Sequence, residues 1–226
     1  MTDFEARRMA MVESQLRPNE VTDKGVLAAM RTLPRERFVP EARQAFAYMD
    51  DAIEVLSARD GAPARALLAP MVQARLIQLA EVQPHETVLD VGCATGYSTA
   101  ILASLGRSVV GLEPEPELVK AAKANLASCG LSNAEIVASD LTGGYGAGGP
   151  YDVIVVEGSV AEVPESLLSQ LKAGGRLVAV RTREPNMRQG KAYLFVQVNG
   201  EVRGTAEFDA AAWPLPEFAP APSFAF

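Results

Sequence analysis

Histidine and cysteine are nearly missing from this chain of 226 residues, which holds one histidine, His85, and two cysteines, Cys93 and Cys129. The cysteines lie far apart and form no Cys-x-x-Cys pair, so neither a disulfide framework nor a zinc knuckle is indicated. His85 stands in the turn Gln83-Pro84-His85-Glu86 that leads into a strand. In a parallel sheet that is the edge opposite the ligand-binding one, so a Ser-His-Asp triad and a His-ligated metal are not expected. Basic blocks are missing too: 28 acidic residues face 21 basic ones, for a formal net charge of −7. Without a concentrated positive field, nucleic acid is not an expected partner. No apolar run approaches the ~20 residues of a membrane span. The opening residues, Met1 to Arg8, are charged where a secretory signal carries ~7–15 apolar ones. A cytoplasmic protein with no membrane partner is the expectation.

What is present is ordinary globular material, 48% hydrophobic and 22% charged, enough to bury a core without staples. From Thr87 onward short β-branched runs alternate with helical periodicity, which predicts an α/β fold with a three-layer, Rossmann-like sheet. Strands are expected at Thr87–Val91, Ser108–Leu112, Ala134–Ala138, Asp152–Val156 and Arg176–Val180, with helices near Tyr97–Leu105, Glu115–Ser128 and Pro164–Leu171. Asn199-Gly200 joins two further strand-like runs, Ala192–Val198 and Val202–Phe208, into an antiparallel hairpin that closes a mostly parallel sheet. Helical segments near Phe4–Leu16, Asp23–Thr32 and Ala69–Ala80 form an N-terminal cap. The domain plan is one domain, 1–226: a helical cap over 1–80, a cofactor-binding core over 81–210, and a tail over 211–226. Pro214, Pro216, Pro220 and Pro222 make that tail extended, with neither helix nor central strand, and Trp213, Phe218, Phe224 and Phe226 are expected to staple it to the body.

The chemistry concentrates in Val88-Leu89-Asp90-Val91-Gly92-Cys93-Ala94-Thr95-Gly96-Tyr97-Ser98, a strand, a glycine turn and a helix start. A dinucleotide fingerprint needs glycines at 92, 94 and 97, but Ala94 and Tyr97 stand there, which disfavours a pyrophosphate ligand and a dehydrogenase. The remaining pattern, acidic-x-Gly-x-Ala-x-Gly, resembles motif I of class I S-adenosylmethionine-dependent methyltransferases. That resemblance implies S-adenosylmethionine as cofactor: Asp90 faces the ammonium of its methionine part, Gly92 and Gly96 make room for that chain, Glu113 takes the ribose hydroxyls and Asp140 the adenine amino group. These carboxylates follow successive strands on one edge of the sheet. Cys93 reads as a small residue fitting the loop, with a reactive thiol as the sharper alternative.

The likeness extends further. Val12-Glu13-Ser14-Gln15-Leu16, Val26-Leu27-Ala28-Ala29-Met30, Pro34-Arg35-Glu36-Arg37-Phe38-Val39-Pro40, Ala47-Tyr48-Met49-Asp50, Tyr151-Asp152-Val153-Ile154 and the run from Pro164 to Val178 resemble protein-L-isoaspartate O-methyltransferases. The resemblance spans roughly Val12 to Val180 and implies protein repair by methylation of isoaspartyl carboxylates, the acceptor being a protein, peptide or small molecule. The family carries a Ser-x-Pro segment before its first core helix, and here Leu68-Ala69-Pro70 stands there, with Leu68 at the serine position; Leu68 and Pro70 are thus the substrate-site candidates. After the fourth strand the family has small residues and this chain has Glu157-Gly158-Ser159, which makes Glu157 a catalytic candidate. Either it points into the site, or it turns outward or pairs with Arg59, Arg65 or Arg181. Ser57, Arg59 and Arg65 are possible replacement contacts. Loss of the serine leaves one alternative from another class, a catalytically silent S-adenosylmethionine-binding scaffold.

Overall fold

The β-branched runs pair into one seven-stranded sheet, and the helices between them cover its faces. The computed structural model describes residues 3–59 and 63–219. Its elements in chain order are α1 Asp3–Met11, α2 Lys24–Thr32, β1 Ile53–Leu56, β2 Arg65–Leu67, α3 Pro70–Ala80, β3 Thr87–Val91, α4 Tyr97–Ala103, β4 Ser108–Leu112, α5 Pro116–Ser128, β5 Ala134–Val137, β6 Tyr151–Val160, α6 Glu165–Leu168, β7 Leu171–Arg181, β8 Gln189–Val198 and β9 Glu201–Ala211. The strand order is β5-β4-β3-β6-β7-β8-β9. From β5 to β7 neighbours run parallel, and β8 and β9 are antiparallel. The chain builds outward from β3 to β5, then crosses back to lay β6 on the other side of β3. The C-terminal end of β3 is therefore a topological switch point, where ligands bind in open α/β sheets.

Period-two alternation decides which face each residue joins. Val88, Val153, Val155, Val178 and Val180 point into one apolar cluster, while Leu89, Val91, Ile154, Val156, Leu177 and Ala179 point into another. Met11, Leu16, Met30 and Phe38 from the N-terminal segments share the first cluster with α3, α4 and α5. At the hairpin tip Asn199 (φ 54°) and Gly200 (φ 86°) are both left-handed, the backbone that a two-residue turn of this hand requires.

Several elements differ from the sequence reading. The first helix widens into a π-helical turn over Val12–Leu16. The helix expected over Pro164–Leu171 is a single turn, because β7 already starts at Leu171. The small antiparallel sheet of β1 and β2 was not anticipated. The tail does form a short helix, a 3-10 turn at Pro216–Phe218, since proline at a first helical position needs no N–H partner. Before that turn it straps across β6: Ser159 N–H donates to the Trp213 carbonyl (2.8 Å) and Leu215 N–H to the Ser159 carbonyl (3.0 Å). Leu215 and Phe218 are buried, and the Arg188 guanidinium lies 3.7 Å over the Trp213 ring. Phe224 and Phe226 lie outside the described residues. No helix among the described residues is long and apolar enough to cross a membrane.

At the opposite sheet edge Asp152 accepts from Thr87 N–H (2.7 Å), the Thr87 hydroxyl (2.8 Å) and Lys172 Nζ (2.7 Å). Burial alone would raise this carboxyl, but Lys172 and Thr87 bring it down to about 2. A depressed carboxylate adds stability that is present above its unfolded value, about 3.9, and is lost as pH falls through the folded one. Denaturant unfolding should therefore show stability declining between about pH 4 and pH 2, and Asp152→Asn should flatten that decline.

Candidate cofactor and acceptor site

The loop after β3 turns through three left-handed residues, Gly92 (φ 82°), Ala94 (φ 48°) and Gly96 (φ 88°). The two glycines have different reasons. A Cβ on Gly96 would sit 3.1 Å from the Ala122 Cβ, so this position lets α5 pack closely. Above Gly92 lie the strap residue Leu215, at 3.4 Å from an added Cβ, and Leu141 of the loop after β5, at 3.6 Å. Those are ordinary contacts, so it is the left-handed φ that favours glycine at 92, whereas Gly158 is held bare by the strap, because an added Cβ would fall 2.8 Å from the Trp213 carbonyl oxygen.

The three carboxylates stand at or just past the C-terminal ends of β3, β4 and β5 on the switch-point edge as the sequence predicts, in three different states. Asp90 is fully buried. Its Oδ2 accepts from the Ser98 hydroxyl (2.7 Å) and the Thr99 hydroxyl (2.6 Å), while Oδ1 has no donor. Burial outweighs those two bonds and pushes the carboxyl up to about 7. Glu113, also fully buried, accepts from Ala94 N–H (3.0 Å) and Glu115 N–H (3.2 Å). Arg65 Nε lies 3.3 Å from its Oε1, and burial still raises the group. The guanidinium of Arg65 reaches onward to Glu217 of the strap. Asp140 is exposed and accepts from Thr142 N–H (2.8 Å) and Gly143 N–H (3.1 Å). The Thr142 hydroxyl, foremost, holds it below the usual carboxylate range.

Glu157 points inward, at 5% exposure. None of the three arginines suggested by the sequence meets it: Arg59 pairs with Glu117 and Glu115, Arg65 with Glu113 and Glu217, and Arg181 lies over the Tyr193 ring. Its partner is Gln73 of α3, whose Nε2 donates to Oε2 at 2.8 Å. Behind Gln73 stands Arg35, fully buried, donating to Gln73 Oε1 (3.2 Å), the Leu68 carbonyl (2.7 Å) and the Ala47 carbonyl (2.8 Å). Sequence reasoning assigned no role to Arg35 or Gln73. The one signal was Arg35's place in the Pro-Arg-Glu-Arg-Phe-Val-Pro stretch. Leu68 has its side chain in the core and only its carbonyl in this network, and Pro70 opens α3. Ser57 donates to Glu54. Cys93 is buried, with its thiol pushed well up by loss of solvent, which fits a space-filling role.

Glu157 Oε1 is, like Asp90 Oδ1, buried without a donor. Two such oxygens at the base of a glycine loop suit a ligand that brings its own cationic donor, as the amino-acid part of S-adenosylmethionine does. Glu113 has acceptor capacity beyond its two backbone donors for hydroxyls. The residues present therefore fit this cofactor.

Fold and loop together define an S-adenosylmethionine-dependent methyltransferase on a Rossmann-like sheet. The model of the protein-L-isoaspartate(D-aspartate) O-methyltransferase family matches residues 6–208, and the chain belongs to that family. A protein-L-isoaspartate O-methyltransferase of Methanoculleus marisnigri is 38% identical over 172 residues, 76% of each chain. One of Rhodopseudomonas palustris is 35% identical over 214 residues, covering 92% of this chain and 95% of its own. A solved protein-L-isoaspartate O-methyltransferase superposes with a TM-score of 0.80 at 26% identity, covering 94% of this chain and 67% of the other. A Plasmodium falciparum protein solved with S-adenosyl-L-homocysteine shares the fold, with a TM-score of 0.72 at 21% identity over 96% of this chain and all of the other. The chain is thus an enzyme that uses S-adenosylmethionine, and the reading as a catalytically silent scaffold is not supported.

Replacing Glu113 by Ala deletes an acceptor from two backbone donors and from Arg65. Calorimetry should show S-adenosylhomocysteine affinity falling by tens of fold, each hydrogen bond to a charged group being worth ~1.5–3 kcal/mol. Thiol titration of the native protein should register the half-buried Cys129 and leave Cys93 unmodified until denaturant is added.

Proposed function

We propose that this enzyme methylates the side carboxylate of isoaspartyl residues, the cytoplasmic repair of aged proteins being its role, and that the acceptor enters between the start of α3 and the strap. A hollow of about 250 Å³ carries the reading. It is lined by Ala69, Met71 and Val72 at the start of α3, by Arg188 and Trp213, and by the carboxylates of Asp50, Asp51 and Asp209; Asp209 pairs with Lys191. It adjoins Leu68-Ala69-Pro70, the segment that matches the family's Ser-x-Pro. Its wall also continues, through Trp213 to Leu215, to the strap over Gly92.

Bound S-adenosylmethionine supplies a sulfonium methyl open to in-line displacement. An ionised carboxylate attacks such a methyl without a general base, so the protein's task is positioning and exclusion of water. Leu68 brings no hydroxyl to that task. Arg188 brings a guanidinium that lies 3.7 Å over the Trp213 ring, and its fork of N–H groups matches the two oxygens of a carboxylate. Asp50 has one oxygen engaged, its Oδ1 accepting from Met71 N–H at 3.0 Å.

Incubation with labelled S-adenosylmethionine and a panel of isoaspartyl peptide, ordinary aspartyl peptide, small carboxylic acids and cell extract should place label on the isoaspartyl peptide. Arg188→Ala should raise KM for that peptide about tenfold or more, the loss of one charge-assisted contact of ~1.5–3 kcal/mol, with melting temperature little changed. Label in extract proteins with none on isoaspartyl peptide would overturn this acceptor.

A further inference from the structure

We propose that Asp90 and Glu157 together form the seat for the cofactor's α-ammonium group, and that filling it drives out one proton that the two carboxyls hold between them. This rests on the donor-site reading above and assigns Glu157 to the methyl donor rather than to the acceptor. The register places the two residues on one face of the sheet: Asp90 pairs with Val155, and Glu157, two residues further along β6, is its diagonal neighbour on that face. Each carboxyl has one oxygen engaged, Asp90 Oδ2 by Ser98 and Thr99 and Glu157 Oε2 by Gln73. Each has one oxygen buried without a donor, Asp90 Oδ1 and Glu157 Oε1.

The cation nearest this pair is kept from it by an amide. Arg35 donates to Gln73 Oε1, which obliges the Gln73 amide to turn its N–H toward Glu157. None of the ion pairs among the described residues includes Arg35. Charge in this water-poor pocket then balances in two ways. With one proton on the pair, its single negative charge offsets Arg35. With an ammonium seated, both carboxyls ionise, and two negative charges face Arg35 and the ligand. Summed over the pair, Arg35 and the ammonium, both states are neutral, whereas two ionised carboxylates beside Arg35 alone are not.

The other groups around the pair agree. Asp90 faces Ser98 and Thr99 from α4 and the charge of Glu113 after β4; Glu157 faces Gln73 from α3, Arg35 and Asp90; and the neutral Cys93 thiol stands by all three carboxyls. Burial pushes Asp90 up to about 7, and burial with the charge of Asp90 raises Glu157 well above the usual carboxylate range. Such a pair titrates as a unit and carries a proton near neutral pH.

Calorimetry of the wild-type protein with S-adenosylhomocysteine, run near neutral pH in two buffers of different ionisation enthalpy, reads the proton directly. About one proton should be released per ligand, and the affinity should tighten by up to about tenfold per pH unit as pH rises through the titration of the pair. The nucleoside 5′-methylthioadenosine, which lacks the amino-acid part, should bind without that release. Glu157→Gln should fold, since it retains an acceptor for Gln73. It should lose about tenfold or more in S-adenosylhomocysteine affinity, release almost no proton, and bind 5′-methylthioadenosine as the wild type does. Equal proton release and affinity in Glu157→Gln, or binding of S-adenosylhomocysteine by the wild type with no proton released, would overturn the proposal while leaving the donor site standing. Failure of the wild type to bind either ligand would overturn the donor-site reading and this proposal with it.

Discussion

Arg35, Asp90, Glu113 and Glu157 are held almost wholly out of water at one edge of the sheet, and the arrangement of everything near the site follows from keeping them there. Burying a single ionised group costs several kcal/mol unless hydrogen bonds and opposite charges replace its hydration. The replacement comes from many elements at once: hydroxyls from α4 for Asp90, backbone N–H groups of two loops for Glu113, an α3 amide for Glu157, and three carbonyl oxygens for Arg35. The N-terminal cap is thus bound to the cofactor core by polar bonds as well as by the shared apolar cluster. Arg35 is the point where that tie is made.

A second chain of charges runs from the core outward. Glu113 faces Arg65, and Arg65 reaches Glu217 in the strap. The strap itself is fixed by its two backbone bonds to Ser159 and by Leu215 lying against Gly92 and Gly158. Residues more than a hundred positions apart therefore meet around the glycine loop. Bare backbone at Gly158 is what lets the strap come so near, because a single added carbon there would collide with it.

The proposed acceptor hollow has charged residues of both signs among its lining. Where the family's segment has a serine, Leu68 contributes its side chain to the core and only a carbonyl to the buried network. The hollow next to it takes its one stacked cation from Arg188, which belongs to the segment before β8. The proposed acceptor hollow is thus built by loops and the strap, and the proposed donor seat by buried groups at strand ends.

The sequence by itself determined the sheet, the glycine loop and the three carboxylates after successive strands, because these depend on local rules: period-two runs, left-handed turn residues and a motif within eleven positions. Strands Thr87–Val91 and Ser108–Leu112 have the limits that their β-branched runs suggest. Only the tertiary structure decided what each charged side chain meets. Arg35 and Gln73 stand 38 positions apart and Gln73 and Glu157 84 apart, and a single sequence carries no signal for pairing at such separations. The same holds for the strap, whose prolines indicate an extended chain but not that it crosses β6 beside Gly92. Local patterns encode backbone geometry within a few residues. Burial and charge pairing depend on which distant segments the completed fold brings together, and it is these that set the state of Asp90 and Glu157.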